Sequence, residues 1–261
     1  MSRFLIFGLG YTATRIADAL RPRGWEVQAT GSAGDLDFAD REGVLAALDG
    51  ASHVLSSVPP ADESDPVLAE YGDVLDGKWL GYLSSTGVYG DAEGAWVDES
   101  APTGTGRRTA RAECDSRWLA MGARLFRLPG IYGPGRSALD RVRSGKAHRI
   151  DLPEQVFSRV HVDDIVAGVV AAIERDAPAG AYNLADELPT SQNAVIEEAC
   201  RLLGREPPPL LSMEEAALSP MARGFYAENR RVANGKAKRV LGWQPLYPTY
   251  REGLADIRAR A

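Results

Sequence analysis

The residues best suited to chemistry stand at the start of the chain, where Gly8-Leu9-Gly10-Tyr11-Thr12-Ala13 follows the apolar run Arg3 to Phe7. In such a G-x-G-x-x-A arrangement the first glycine makes a tight turn. The second lets backbone N–H groups approach a pyrophosphate with no Cβ in the way, and the small last residue packs the next helix against the strand. The phosphates then lie on the positive end of that helix. About 20 residues beyond the turn, an Asp or Glu marks sites that hold a ribose 2′-hydroxyl. Thr30-Gly31-Ser32 stands there instead, with no acid before Asp35. The hydroxyls of Thr30 and Ser32 do not repel a 2′-phosphate and can donate to it, so the expected cofactor is NADP or NAD, with a lean to NADP. No metal centre is expected: His53, His148 and His161 are scattered, and Cys114 and Cys200 stand far apart. Asp163-Asp164 precede an apolar helical run and read as a helix N-terminal cap.

The elements that must position these residues alternate. Strand patterns run from Arg3 to Phe7, Glu26 to Thr30, His53 to Val58, Trp79 to Ser84 and Ala123 to Leu128, with helical or polar stretches between most of them. This predicts an α/β fold, a Rossmann-type doubly wound parallel sheet. Ala13, Ile16, Ala17 and Leu20 recur at helical spacing, and further helices are expected at Val162 to Glu174 and Ser191 to Leu203. The stretch from Thr30 to Asp37 is too short for a crossover helix, so an abbreviated link is expected there. After Arg127 the alternation fades. The expected organisation is a dinucleotide-binding region over 1–135 and a mixed region over 136–261, part returning to the main sheet and part forming a smaller substrate lobe.

Bulk properties narrow the classes. Of 261 residues, 44% are hydrophobic and 25% charged, as in an ordinary globular protein, and the formal charge of -6 argues against nucleic acid as a ligand. The first apolar run ends at Gly8, short of a signal peptide, and nothing approaches the roughly 20 apolar residues that span a bilayer. Two unpaired cysteines fit a reducing, cytoplasmic setting. The expected partner is a small-molecule substrate, with no nucleic acid and no membrane. A homodimer is left open, because interfaces leave little trace in one sequence.

Several landmarks in order resemble the extended short-chain dehydrogenase/reductase family, which contains NAD-dependent sugar-nucleotide epimerases and dehydratases. They are the glycine turn, Asp37-Phe38, Ser84-Ser85-Thr86-Gly87-Val88-Tyr89-Gly90, Arg127-x-Pro129-Gly130-Ile131-Tyr132-Gly133, Val160-His161-Val162-Asp163-Asp164, Tyr182-Asn183-Leu184 and Leu241-Gly242-Trp243. The resemblance implies that Asp37 bonds the adenine amine and that Phe38 offers backbone contacts to the ring. It also implies that Ser57-Val58-Pro59 passes beside the ribose and pyrophosphate, and that Pro129, Gly130 and Ile131 lie along the nicotinamide. Ser85, with Thr86 beside it, matches the family's catalytic hydroxyl.

The family's Tyr-x-x-x-Lys pair is absent at its expected place. No tyrosine occurs between Tyr89 and Tyr132 and no lysine between Lys78 and Lys146; the matching positions hold Thr105 and Thr109. An alkyl hydroxyl does not release a proton near neutral pH without a strong base beside it, so neither threonine is expected to be catalytic. Arg107, Arg108 and Arg111 read as a solvated cationic helix face, or alternatively as an anion-binding cluster. Trp96 reads as a packing residue or, alternatively, as a ring that stacks on a substrate where Gly94 to Glu99 covers the mouth of the site. Phe225-Tyr226 with Arg230-Arg231 reads either as a nucleotide or sugar-phosphate pocket or as arginines paired with surface acids. The loss resembles atypical members of the superfamily. The resemblance implies an epimerase/dehydratase-like protein or oxidoreductase acting on a nucleotide sugar or another small carbonyl or hydroxyl compound; the alternative is a non-catalytic dinucleotide sensor.

Overall fold

A computed structural model of the chain describes residues 2–61, 64–106 and 109–261. Six parallel strands form its central sheet: β1 (Arg3–Phe7), β2 (Glu26–Ala29), β3 (His53–Ser56), β4 (Trp79–Ser85), β5 (Arg124–Leu128) and β6 (Gly180–Asn183). Their spatial order is β6-β5-β4-β3-β1-β2, so the chain winds one way from β1 to β2 and the other way from β3 onward. A crevice opens beyond the carboxyl ends of strands where the winding reverses. The abbreviated link is present: a single parallel bridge between Thr30 and Leu36 stands where another strand would pair.

Alternation along β1 sends Phe4 and Ile6 to one face and Leu5 and Phe7 to the other, each into its own core. On the first face lie α1 (Tyr11–Leu20) and, from the second half of the chain, Val162–Glu174, which pack through Ala13, Ile16, Leu20, Ile165 and Val169. On the second face lie α2 (Arg41–Gly50), α3 (Pro66–Tyr71) and α4 (Thr109–Ala120). Asp65 caps α3 by accepting the Val67 and Leu68 N–H groups, while its other oxygen accepts the Trp118 indole N–H of α4 at 2.7 Å. One buried carboxylate thus joins two helices.

The second half of the chain contributes β6 to the edge of the main sheet. The helices Ala138–Arg143, Gln192–Leu203 and Tyr250–Ala259 gather around a separate core that includes Leu139, Ile196, Leu254 and Ile257. Two parallel ribbons join the halves, Gly130–Tyr132 with Arg159–His161 and Trp96–Val97 with Arg231–Val232.

The helix at Val162–Glu174 starts differently from expectation. Its cap is the His161 imidazole, whose Nδ1 accepts the Asp163 N–H at 3.2 Å. Asp164 instead accepts the Leu246 and Tyr247 N–H groups and, through its carbonyl, the Trp243 indole N–H, anchoring the Leu241-Gly242-Trp243 segment. Burial lifts the Asp164 carboxyl to about 6. Among the described helices none is long and apolar enough to cross a membrane.

Candidate functional site

The glycine turn sits at the carboxyl end of β1. Gly8 adopts φ +85, a conformation that glycine reaches without steric cost, and a Cβ there would meet Val58 Cγ2 at 3.0 Å. Its N–H donates to the Thr30 hydroxyl at 3.2 Å, and the Leu9 N–H donates to the Thr30 carbonyl at 2.8 Å, so Thr30 braces the turn. Gly10 is the N-cap of α1 and provides no side-chain cap; nothing lies within 4 Å of where its Cβ would stand. The first turn of α1 carries no acid. Tyr11 and Thr12 open onto the adjoining cleft, and Ala13 is buried against the core.

Around the rim, Ser32 is exposed. One oxygen of Asp35 accepts the Ala29 N–H at 2.7 Å and so turns back toward β2. Asp37 is exposed and accepts the Ala39 N–H at 3.0 Å in a local turn, while the Phe38 carbonyl accepts the Tyr71 hydroxyl at 2.6 Å. Ser57 and Pro59 line the cleft; Val58 packs behind the glycine turn on the second core.

The cleft holds about 870 Å³. Ser85 and Thr86 open into it from the end of β4, and Pro129, Gly130 and Ile131 from the segment after β5. Ser85 accepts the Gly87 N–H at 3.1 Å and so begins a single helical turn, Thr86–Tyr89. Gly90, at φ +68, closes that turn; a Cβ there would stand 2.7 Å from the Gly106 nitrogen.

Beneath the turn runs a buried polar chain that no local pattern in the sequence announced. Ser84 donates to Asp115 at 2.6 Å, and Arg127 clamps both oxygens of Asp115 at 3.1 and 2.7 Å. Arg127 also donates to the Tyr89 hydroxyl at 3.0 Å, which donates to Asn183 at 2.7 Å. Asn183 reaches the Ala233 carbonyl, and its own N–H donates to Glu99. Burial alone would lower Arg127; Asp115 and Tyr89 outweigh it and hold the guanidinium protonated.

Thr105 and Thr109 are both exposed and stand outside the cleft lining, and the Thr105 hydroxyl donates to the Tyr89 carbonyl. Arg111 does line the cleft, donating to the Tyr82 hydroxyl at 3.1 Å; Arg107 and Arg108 lie outside the described residues. No lysine lines the cleft among the described residues. The expectation for Trp96 is corrected: at 59% exposure it neither packs nor reaches the cleft, because its strand pairs with Arg231–Val232 at the surface. Phe225, Tyr226 and Arg230 line the cleft, whereas Arg231 donates to the Gly94 carbonyl away from it. No metal-binding cluster occurs among the described residues.

With this geometry in view, known proteins bear on the chain. No family model matches it. A solved structure of a conserved protein of unknown function from Silicibacter pomeroyi is 39% identical, with a TM-score of 0.87, covering 100% of this chain and 99% of that one. The dTDP-glucose 4,6-dehydratase of Bacillus anthracis, solved with NAD, shares the fold at 13% identity and TM-score 0.79, over 99% of this chain and 96% of that one. A human epimerase family protein solved with NADPH shares it at 16% and 0.77, over 99% and 100%. The chain has the fold of these epimerase and dehydratase structures. The chain and the Silicibacter protein are members of one family. A 3-diazoavenalumate denitrifying reductase from Streptomyces is 36% identical over 144 residues, which span 50% of this chain and 45% of that relative.

Two outcomes test the energetics. Removing one member of a buried ion pair strands the other charge, so Asp115→Ala lowers unfolding free energy by about 3–5 kcal/mol in urea titration; a loss under about 1 kcal/mol contradicts a structural role for the network. Asp186 is buried, with Oδ1 accepting the Leu188 N–H and Oδ2 unpartnered among the described residues. Burial lifts its carboxyl from 3.8 to about 7, against the pull of Arg159. Between those values the folded chain holds a proton that the unfolded chain has released, so this stabilisation is full at low pH and lost as pH rises through 7. His161, pushed down to about 4 by burial, acts in the opposite sense. Urea titrations across this window therefore show wild type losing stability relative to Asp186→Asn as pH rises, whereas parallel curves contradict the assignment.

Proposed function

We propose that the chain is a nicotinamide-dinucleotide-dependent oxidoreductase or epimerase/dehydratase-like enzyme, acting on a nucleotide sugar or another small carbonyl or hydroxyl compound. The observation that carries this reading is the convergence of two features on one cleft: an uncapped helix start behind a glycine turn, and the Ser85-Thr86 hydroxyls.

The residues fit a dinucleotide. The vacant space at Gly10 admits a phosphate to the free N–H groups at the start of α1, where the helix dipole favours negative charge. Bracing by Thr30 keeps that turn in one conformation before any ligand arrives. Ser57 and Pro59 would flank the ribose, Pro129 to Ile131 the nicotinamide, and Asp37 with Phe38 the adenine. Ser32 is exposed and Asp35 turns toward the β2 backbone, which favours NADP over NAD. When bound, the cofactor supplies or accepts hydride.

In this reading Ser85 orients the substrate oxygen. Because it already accepts the Gly87 N–H, its own proton remains to be donated. Arg111 adds positive charge to the cleft. No lysine lines the cleft among the described residues, so the proton donor in this reading is water or a group not yet assigned. A second reading, a non-catalytic dinucleotide sensor, is favoured by the absence of lysine from the cleft lining among the described residues.

Intrinsic tryptophan fluorescence titrated with NADPH and NADH tests the cofactor assignment. Saturable binding is expected, tighter for NADPH, and Gly10→Ala weakens it while leaving the thermal midpoint unchanged. Tighter NADH binding overturns the NADP preference, and no binding of either overturns the whole reading. Turnover, followed at the reduced-nicotinamide absorbance with nucleotide sugars and simple carbonyls, separates enzyme from sensor. Ser85→Ala slows it by about tenfold or more; an unchanged rate removes Ser85 from the mechanism.

A further inference from the structure

The charge of the cleft opposes that of the chain. Although the protein carries a net charge of -6, Arg111, Arg136, Arg141, Arg159 and Arg230 all line the cleft, against the single carboxylate of Glu228 among the described residues. Arg230 donates to Glu228 at 3.0 Å, and Arg111 donates to the Tyr82 hydroxyl. Arg136 stands over the Tyr11 ring, 5.7 Å from its centroid, on the side of the glycine turn. Arg141 is different: it is exposed, and its guanidinium has no hydrogen bond or ion pair among the described residues.

Behind Arg141 lies a buried cation with little to offset it. The Arg159 guanidinium donates to the carbonyls of Phe157, Thr190 and Ser191 and to the Gln192 amide oxygen, all neutral. Burial drives Arg159 down to about 10 even though Asp186 opposes the change, and Arg141 adds a like charge. Two cations of one sign facing a cleft repel each other until an anion arrives.

Several polar side chains in the same half of the cleft already have partners within the protein. Ser137 donates to Asp140, Ser158 receives the Val232 N–H, Gln192 receives Arg159, and Glu228 receives Arg230. The wall also offers aromatic surface. Phe157 and Tyr226 meet edge to face at 5.5 Å, both lining the cleft. Arg141 lines the same cleft as Phe157 and Tyr226.

We propose that this half of the cleft is a subsite for an aromatic oxyanion, a carboxylate or a phosphate monoester, with Arg141 binding the anion and the Phe157–Tyr226 pair flanking the ring. It deepens the functional reading above and rests on it only for the reaction at the substrate's carbonyl or hydroxyl group. Arg141 is exposed, so replacing it does not threaten the fold.

Calorimetric titration of the full chain, with and without NADPH, tests the subsite. The probes are 4-hydroxycinnamate, phenyl phosphate, the neutral 4-hydroxycinnamyl alcohol, and UDP-glucose. At least one aromatic anion binds, more weakly as ionic strength rises, and the alcohol binds about tenfold or more weaker. Comparing 4-hydroxycinnamate with phenyl phosphate tells carboxylate from phosphate. Arg141→Gln costs the anion about tenfold in affinity and leaves NADPH affinity unchanged. Equal binding of the alcohol, tightest binding of UDP-glucose, an unaffected Arg141→Gln variant, or loss of NADPH affinity in that variant each overturns the proposal. NADPH binding with no anion binding removes the subsite alone, whereas anion binding with no NADPH binding removes the cofactor reading alone.

Discussion

The buried pair of Arg127 and Asp115 is the constraint on which the geometry of this molecule turns. Both side chains are almost wholly excluded from solvent, and each would be prohibitively costly there without the other. Asp115 comes from α4, Arg127 from β5, and the remaining hydrogen bonds recruit Ser84 from β4, Tyr89 from the turn that follows it, and Asn183 from β6. A pair of this kind contributes little net stability over a well-packed apolar alternative. Its consequence is geometric: strand ends and a helix can meet in few other arrangements, because any slip leaves a buried charge exposed to apolar neighbours. The Ser85-Thr86 turn rides directly on this assembly, between Ser84 and Tyr89.

The glycine turn obeys a different logic. Its shape follows from backbone conformations that glycine alone reaches easily, and from one partner, Thr30, that receives both the Gly8 and Leu9 N–H groups. Such local chemistry is legible in sequence, since the residues that decide it are close together or occupy a fixed offset. The same holds for β1 to β5, whose apolar runs match the strands to within a few residues, while β6 was not among those runs; the helix-free turn from Thr30 to Leu36 follows from chain length alone.

The polar network was not legible in that way, because its hydrogen-bonded partners are up to 94 positions apart. Two signals did exist. Asp115 lies three residues from both Ala112 and Trp118 on the buried face of α4, and Arg127 sits between Phe126 and Leu128 in a strand whose interior is buried throughout. A charge on each of two apolar faces requires a partner. His161 misled for a related reason: carboxylates are the commoner helix caps, and tertiary contacts drew Asp164 instead to the backbone of Leu246 and Tyr247. The arginines gathered in the cleft belong to the same class of feature, distant in sequence and meaningful only once assembled.

Together these features describe a scaffold that brings the glycine turn, the Ser85-Thr86 hydroxyls and several arginines to one cleft. The most direct measurement is a crystal structure of the chain grown with NADPH. The account predicts the diphosphate against the N–H groups of Tyr11 and Thr12, and the reactive nicotinamide carbon facing the Ser85-Thr86 turn with room for a substrate atom about 3–3.5 Å away. A dinucleotide seated away from the glycine turn, or with its nicotinamide turned out of the cleft, would contradict it.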